Sequence, residues 1–190
     1  ITVAMGHTDA DYECAKEAIK CGATDLTHTF NAMRPLKHRE PNAIGAAVDS
    51  DIFCECICDG FHVHPAVVRI LYSAVTAKRM VLISDSIRPA GCPDGEYKSG
   101  GLDITVRNKT ARLKDGTIAG STATLMSCVK KAMEFGIPEN DAFRMATINP
   151  AKAVRLDAHI GSIEAGKDAD ILLLDDNHNI VKKIIKGKIL

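Results

Sequence analysis

The sequence lacks an excess of charge of either sign, because 24 lysines and arginines balance 24 aspartates and glutamates. It also lacks basic runs interleaved with aromatic residues, so nucleic-acid binding has no electrostatic support. No apolar stretch reaches the length that spans a membrane, and no signal peptide is visible. These absences argue against nucleic acid and membranes as partners. Because residue 1 is isoleucine rather than methionine, we expect the natural amino terminus to lie upstream.

Zinc-finger spacing is also absent, although the chain has seven cysteines. Three of them alternate along one apolar segment, namely Cys54, Cys56 and Cys58. On a strand, alternate residues share a face, so these thiols would point the same way. Two interpretations stay open, a soft-metal cluster and small buried hydrophobes, and ordinary core packing favours the second. We expect all seven thiols to be reduced, in a cytoplasmic protein.

What the sequence does contain is an alternation of strand and helix patterns in its first half. Apolar segments predict strands at 1–7, 23–29, 52–58 and 80–84. Helical spacing predicts helices at 9–21, with Asp9 as its N-cap, and at 65–77. Such repetition is typical of a parallel sheet with helical crossovers. Four strands would form half of an eight-stranded barrel.

The second half has a different pattern. Two short strand-like segments within 97–113 flank the turn Arg107-Asn108-Lys109 and predict a hairpin. Helices are expected at 122–135 and 138–147, and a third from Pro150. From Gly161 onward, apolar runs at 171–174 and 180–190 predict strands at the edge of a small β domain.

Three of the predicted parallel strands end in a residue that can bind metal or transfer a proton. His7 and His28 end the first two, and Asp85 follows the fourth. In α/β barrels, catalytic groups cluster at the carboxyl ends of the strands. Neutral imidazole suits zinc or ferrous iron, so the pattern predicts a metal-centred hydrolytic site.

Several motifs resemble those of N-acetylglucosamine-6-phosphate deacetylases. The most specific is Thr27-His28-Thr29-Phe30-Asn31-Ala32-Met33 followed by His38-Arg39-Glu40-Pro41. The resemblance also includes Gly6-His7-Thr8, Asp59-Gly60-Phe61-His62-Val63-His64, Ser84-Asp85, Pro93-Asp94-Gly95-Glu96-Tyr97 and Ala119-Gly120-Ser121. The ending at 161–170 is similar to the tail of the wider amidohydrolase superfamily.

This resemblance implies the carboxyl-terminal half of a TIM-barrel-like, metal-dependent amidohydrolase (β/α)8 barrel with part of a small β-sandwich. Residues 1–155 would be the second half of the barrel, with a β-hairpin insertion near 97–113, and 156–190 would be sandwich strands. The chain would then begin at the fifth barrel strand. The family's glutamate metal ligand and its His-x-His pair would lie outside the chain.

The resemblance also implies roles for individual residues. His7 and His28 would bind the divalent metal, zinc or iron. Asp85 would be the general base, and His62 would stabilise the oxyanion, whereas His64 is expected to have a structural or solvent role. Arg39 would reach the neighbouring subunit's site, which implies a homodimer. The expected substrate-binding residues are Asn31, Ala32, Arg39, Asp59, Gly60, Phe61, His62, Ile118, Ala119 and Gly120.

The implied reaction is hydrolysis of the acetamide of N-acetylglucosamine-6-phosphate to glucosamine-6-phosphate and acetate. Another amidohydrolase, dihydroorotase-like or adenine-deaminase-like, is a second hypothesis, although the segment with Asn31 and Arg39 argues against substrates that lack a phosphate. A third hypothesis is a non-catalytic, truncated half-barrel. An incomplete barrel leaves sheet edges unpaired, so we expect the isolated chain to be inactive.

Overall fold

A computed structural model describes all 190 residues, which form three separate sheets and six helices. The first sheet is parallel, and its four strands lie side by side in chain order. Its strands are β1 (Ala4–Met5), β2 (Asp25–Leu26), β3 (Phe53–Ile57) and β4 (Met80–Ile83). The prediction of a mixed α/β fold is confirmed, and the four strands form an open sheet rather than a closed barrel.

Helical crossovers connect the parallel strands, as parallel pairing requires. They are α1 (Tyr12–Lys20), α2 (Asn42–Val48) and α3 (Pro65–Arg79). Three further helices follow near the end of the chain: α4 (Leu125–Glu134), α5 (Glu139–Ala146) and α6 (Ile148–Ala153). None of the six is both long and apolar enough to cross a lipid bilayer.

Two expectations about the first strand and helix were wrong. The first strand has only two paired residues, of which Ala4 is exposed and Met5 is half-buried. Helix α1 begins after Asp11, whose carboxylate accepts a hydrogen bond from the Cys14 amide at 2.9 Å. Asp9 is not the N-cap, since both of its oxygens bind the guanidinium of Arg34.

The expected 97–113 hairpin lies within a larger antiparallel sheet. Its strands are β5 (Gly95–Ser99), β6 (Leu102–Arg107), β7 (Thr110–Arg112) and β8 (Ile118–Ser121), in that order. Asn108 and Lys109 turn between β6 and β7 with φ of 51° and 63°, as a tight hairpin turn requires. β8 also forms an isolated parallel bridge with Ser86, so this sheet contacts the segment that leaves β4.

The third sheet is built from the last residues of the chain. It contains β9 (Ile171–Leu174), β10 (Ile180–Ile185) and β11 (Lys188–Ile189), and β10 lies in the middle. The single strand expected over 180–190 is therefore two strands. Lys186 and Gly187, with φ of 47° and 77°, reverse the chain between them.

The hydrophobic core lies between the parallel sheet and the helices that cover one of its faces. Cys54, Cys56 and Cys58 all point into it and are fully buried, which confirms that they share a face. Burial raises the pKa of Cys54 and Cys58 to about 12 and that of Cys56 well above its usual value. These thiols are therefore packing groups in their protonated form.

A buried amide fixes α6 against the start of β4. The Asn149 side-chain nitrogen donates to the carbonyl oxygens of Ala77 and Met80, at 2.7 Å each. Asn149 is fully buried, so water cannot replace these two bonds in the folded protein. The Asn149 amide therefore joins α6 to the end of α3 and the start of β4.

Asn149→Ala is expected to lower the free energy of unfolding by about 2 to 3 kcal/mol, because it leaves buried carbonyl groups without their donor. Urea denaturation of the full-length protein that contains this chain would measure the change. Asn177→Ala is the matched control, since Asn177 is exposed. Equal stability of the two variants would show that the Asn149 amide does not stabilise the fold.

Candidate active site

A histidine or aspartate stands two residues beyond the end of each parallel strand. These residues are His7, His28, Asp59 and Asp85, which follow β1, β2, β3 and β4 respectively. Because the strands run parallel and are paired in chain order, their carboxyl ends lie along one edge of the sheet. In open α/β sheets and α/β barrels, this edge is where ligands bind.

Three of these four residues have a backbone conformation that is unusual for side chains with a Cβ. His7, His28 and Asp85 have φ of 45°, 32° and 49°, in the left-handed region. Such conformations cost of order 1 kcal/mol or more each, and they concentrate at functional sites. This strained backbone distinguishes His7, His28 and Asp85 from residues at ordinary strand ends.

The two histidines lie close together. Their ring centroids are 4.7 Å apart in an edge-on arrangement. His28 is buried and its Nδ1 has no hydrogen-bond partner, whereas His7 is exposed. A buried imidazole nitrogen without a partner fits a metal ligand, since neutral imidazole nitrogen binds zinc and iron.

The chain by itself does not supply a complete metal site. It has no group of three or more histidine, cysteine, aspartate and glutamate side chains arranged to hold an ion. A catalytic zinc has three protein ligands and one open position. His7 and His28 would therefore supply two ligands, one fewer than such a site needs.

Asp85 is held by its backbone. Its carbonyl oxygen accepts a hydrogen bond from the Ser121 amide, and the Ser121 carbonyl accepts one from the Ile87 amide, both at 2.9 Å. Gly120 allows this close approach, because its φ is 113° and a Cβ there would lie 2.6 Å from the Ile87 Cγ2. The Asp85 side chain itself is exposed.

One of the three expected substrate residues of β8, Gly120, therefore lies beside Asp85. Ile118 and Ala119 are half-buried and Gly120 is buried. At Gly120 the close approach is to the chain itself, namely the Ile87 side chain and, at 3.4 Å, the Asp85 carbonyl oxygen. This part of the antiparallel sheet thus positions the residue expected to be the general base.

The loop after β2 carries three of the expected substrate residues. The Asn31 side-chain nitrogen donates to the carbonyl oxygens of His28 and Thr29, at 3.1 and 3.3 Å, and so holds the turn after the histidine. Ala32 continues the turn with φ of 47°. Arg39 lies farther along, is exposed, and has its Nη1 2.5 Å from the Nε2 of His38. Its guanidinium points to no carboxylate within the chain.

An ion pair that the sequence did not reveal connects this loop to the loop of His7. Arg34 binds Asp9 through both of its carboxylate oxygens, at 2.9 and 2.7 Å. The Arg34 amide also donates to the Thr8 carbonyl at 3.3 Å. The two partners are 25 residues apart, so no local pattern could pair them.

A compact turn after β3 contains the expected oxyanion residue. The Asp59 carboxylate binds the Nδ1 of His62 at 2.7 Å and the amides of Phe61 and His62 at 2.8 and 3.0 Å. Burial alone would raise the pKa of Asp59, but these hydrogen bonds outweigh it and lower that pKa. Gly60 makes the turn with φ of 87°, and the Phe61 side chain is half exposed.

His64, two residues later, has a structural role, as expected. Its Nδ1 accepts a hydrogen bond from the Ala66 amide at 3.2 Å and so caps α3. Pro65 occupies the first turn of that helix, where its missing amide proton is not needed. His64, the second histidine of the segment His62-Val63-His64, is therefore the N-cap of α3.

Sequence reasoning missed a pair of carboxylates on the sheet itself. Asp25 on β2 is buried, and burial, followed by the repulsion of Glu55 on β3, raises its pKa to about 8. One oxygen of Asp25 has no hydrogen-bond partner. Glu55 accepts a hydrogen bond from the His28 amide at 3.1 Å. A signal for this pair is present in the sequence. Asp25 and Glu55 are acidic residues inside predicted strands, where apolar residues would be expected.

The candidate residues line two clefts rather than one. A cleft of about 430 Å³ includes His28, Glu55 and Asp85. A second, of about 740 Å³, includes the Asp59-Gly60-Phe61 turn together with side chains of α4 and the antiparallel sheet. The other eight candidate residues line neither of these clefts, namely His7, Asn31, Ala32, Arg39, His62, Ile118, Ala119 and Gly120.

Comparisons with known proteins show the family of the chain and structures with the same fold. The sequence profile described as the amidohydrolase family matches residues 1–190. N-acetylglucosamine-6-phosphate deacetylase of Bacillus subtilis (strain 168) is 39% identical over 191 residues, which cover 100% of this chain and 48% of that protein. The chain therefore spans about half the length of the curated relatives it matches.

Solved structures of the same enzyme superpose on the whole chain. The N-acetylglucosamine-6-phosphate deacetylase of Pasteurella multocida is 33% identical, with a TM-score of 0.96 over 100% of this chain and 50% of its own. An aspartate-to-alanine mutant of the Mycobacterium smegmatis enzyme, in complex with N-acetyl-D-glucosamine-6-phosphate, is 38% identical, with a TM-score of 0.93 over 100% of this chain and 51% of its own. Because the family profile matches it from the first residue to the last, the chain belongs to the amidohydrolase family.

Proposed function

We propose that the protein containing this chain hydrolyses the acetamide of N-acetylglucosamine-6-phosphate to glucosamine-6-phosphate and acetate. In this proposal the four parallel strands form half of a (β/α)8 barrel, and residues 156–190 belong to a small β-sandwich. One observation carries the proposal. His28 and Asp85 line the same cleft at the carboxyl edge of the sheet, each held in a strained backbone conformation.

His7 and His28 are the residues that would hold a divalent metal, zinc or iron. Their rings are adjacent, and the buried Nδ1 of His28 is unpartnered. A bound metal of this kind supplies Lewis acidity, which lowers the pKa of a coordinated water towards neutrality. The general metal dependence of the amidohydrolase family supports this assignment.

Asp85 would act as the general base and then as the general acid. As base, its carboxylate takes a proton from the water that attacks the acetamide carbonyl carbon. As acid, it returns that proton to the amine nitrogen, because an amide needs a protonated leaving group. Its exposed side chain and its backbone bonds to Ser121 suit a group that must meet a substrate in a fixed position.

His62 would stabilise the negative charge that develops on the carbonyl oxygen. Its ring is anchored through Nδ1 to Asp59, which leaves Nε2 for the substrate. Because Nδ1 already donates to the ionised Asp59, Nε2 donates to the oxyanion from the doubly protonated ring, whose positive charge faces that carboxylate. In this proposal Gly60 and Phe61 contact the sugar from the same turn, and Ile118, Ala119 and Gly120 contact it from β8.

Asn31, Ala32 and Arg39 would bind the sugar phosphate. Arginine has a planar, permanently charged donor fork that fits phosphate oxygens. Arg39 is exposed and has no carboxylate partner in the chain, which suits an arginine that serves the site of a second subunit in a homodimer. The ligand of the Mycobacterium smegmatis relative supports a phosphorylated amino sugar as substrate.

The other hypotheses have less support. A dihydroorotase-like or adenine-deaminase-like substrate lacks the phosphate for which Arg39 is proposed. A non-catalytic half-barrel agrees with the absence of a third metal-ligating group within the chain, so the isolated 190 residues are proposed to be inactive.

All seven cysteines are free, which supports a reducing, cytoplasmic location for the full-length protein.

Asp85→Asn should lower kcat for acetate release from N-acetylglucosamine-6-phosphate by at least about 100-fold, because an amide neither accepts nor returns the proton. The assay uses the full-length protein loaded with zinc or with ferrous iron. Asp176→Asn, an exposed position on the last sheet's loop, is the matched control and should retain full activity. Unchanged turnover in the Asp85 variant would remove this residue from the mechanism.

Arg39→Gln should raise KM for the phosphorylated sugar about 10- to 100-fold, since a charge-assisted hydrogen bond contributes roughly 1.5 to 3 kcal/mol. Activity on unphosphorylated N-acetylglucosamine should be equal in the wild-type protein and in Arg39→Gln. Arg107→Gln, which also removes an exposed arginine, is the control. An equal loss on both sugars would contradict phosphate binding by Arg39.

A further inference from the structure

The Asp59 carboxylate is fully engaged within its own turn. Oδ1 accepts hydrogen bonds from the amides of Phe61 and His62, at 2.8 and 3.0 Å. Oδ2 lies 2.7 Å from the Nδ1 of His62. The side chains of Asp59 and His62 are only 3% and 7% exposed. A carboxylate in this position has little remaining capacity to bind a ligand.

The chemistry of the pair decides which ring nitrogen carries the proton. An ionised carboxylate is only an acceptor, so the Nδ1 of His62 must be the donor in the 2.7 Å contact. The hydrogen bond made by one imidazole nitrogen sets the state of the other. With Nδ1–H directed at Asp59, the nitrogen left for a substrate is Nε2.

We propose that Asp59 is a positioning residue that acts through His62, rather than a direct substrate contact. Its two oxygens have separate tasks: Oδ1 closes the turn, and Oδ2 fixes the orientation and protonation state of the ring. The ring then presents Nε2 to the reacting carbonyl without having to search rotamers or exchange tautomers. The role of His62 in stabilising the oxyanion rests on the proposed function. The control of the His62 ring by the Asp59 carboxylate does not.

Asp59→Asn separates the two tasks of the carboxylate. The amide oxygen can still accept from the Phe61 and His62 amides, so the turn is expected to persist. The opposite orientation of the amide would direct its NH2 group at those two donors and is disfavoured. The NH2 group then faces the Nδ1 of His62 and donates to it, which moves the ring proton to Nε2.

Nitrogen-15 NMR of the full-length protein, labelled at histidine, measures this directly. The spectrum is recorded without substrate, at an alkaline pH where imidazole is neutral. We expect the His62 proton on Nδ1 in the wild-type protein and on Nε2 in Asp59→Asn, with His62→Gln used to assign the signal. A wild-type ring protonated at Nε2, or the same tautomer in both proteins, would overturn the proposal.

A double-mutant cycle then tests whether Asp59 acts only through His62. Asp59→Asn should lower kcat/KM for N-acetylglucosamine-6-phosphate about 10- to 100-fold, in the range seen when groups that orient a functional histidine are removed. The reason is that no carboxylate then faces the positive charge of the ring that donates from Nε2. In the His62→Gln background the same change should have almost no further effect. Asp51→Asn, which is exposed, serves as the control. An equal loss with and without His62 would overturn the proposal.

The two measurements fail independently. If the wild-type protein does not hydrolyse this sugar, the proposed function fails, while the NMR result still decides whether Asp59 sets the state of His62. If hydrolysis occurs but the tautomer does not change in Asp59→Asn, the proposed function stands and Asp59 is not the positioning residue.

Discussion

Parallel pairing of β1, β2, β3 and β4 is the constraint on which the candidate site depends. Because each strand returns through a helix before the next begins, every strand ends at the same edge of the sheet. Residues separated by up to 78 positions, such as His7 and Asp85, therefore follow strand ends at a common edge. The buried face of the same strands packs on the helices through small thiols and aliphatic side chains, which keeps the edge in place.

Hydrogen bonds and an ion pair between loops position residues of the candidate site beyond what strand pairing alone determines. Arg34 joins the loop that begins with His7 to the loop that carries Asn31. Ser121 holds the backbone of Asp85 from a separate sheet. In each case a polar contact joins segments that are distant in the chain, and at least one of those segments carries a residue with a proposed chemical role. The loops of the site are thus joined to one another as well as to the strands.

Much of this arrangement could be predicted from the sequence, and the errors have physical causes. The strand–helix alternation and the shared face of Cys54, Cys56 and Cys58 follow from local periodicity, which depends only on residue spacing. The length of β1 and the cap of α1 did not follow, because strand pairing and the Arg34 ion pair are properties of the folded chain. Asp25 and Glu55 were missed because their burial depends on the strands beside them.

The sequence by itself determined the mixed α/β class, the order of the elements apart from α2 and β8, and the residue types at the strand ends, since hydrophobic spacing and turn residues act over a few positions. Only the tertiary structure decided that His7 and His28 have adjacent rings, that Gly120 accommodates Ile87 beside Asp85, and that the Asp59 carboxylate binds the Nδ1 of His62. Those facts depend on distances between segments and on the direction of each side chain. Both are set by packing and by backbone strain, which residue spacing does not encode.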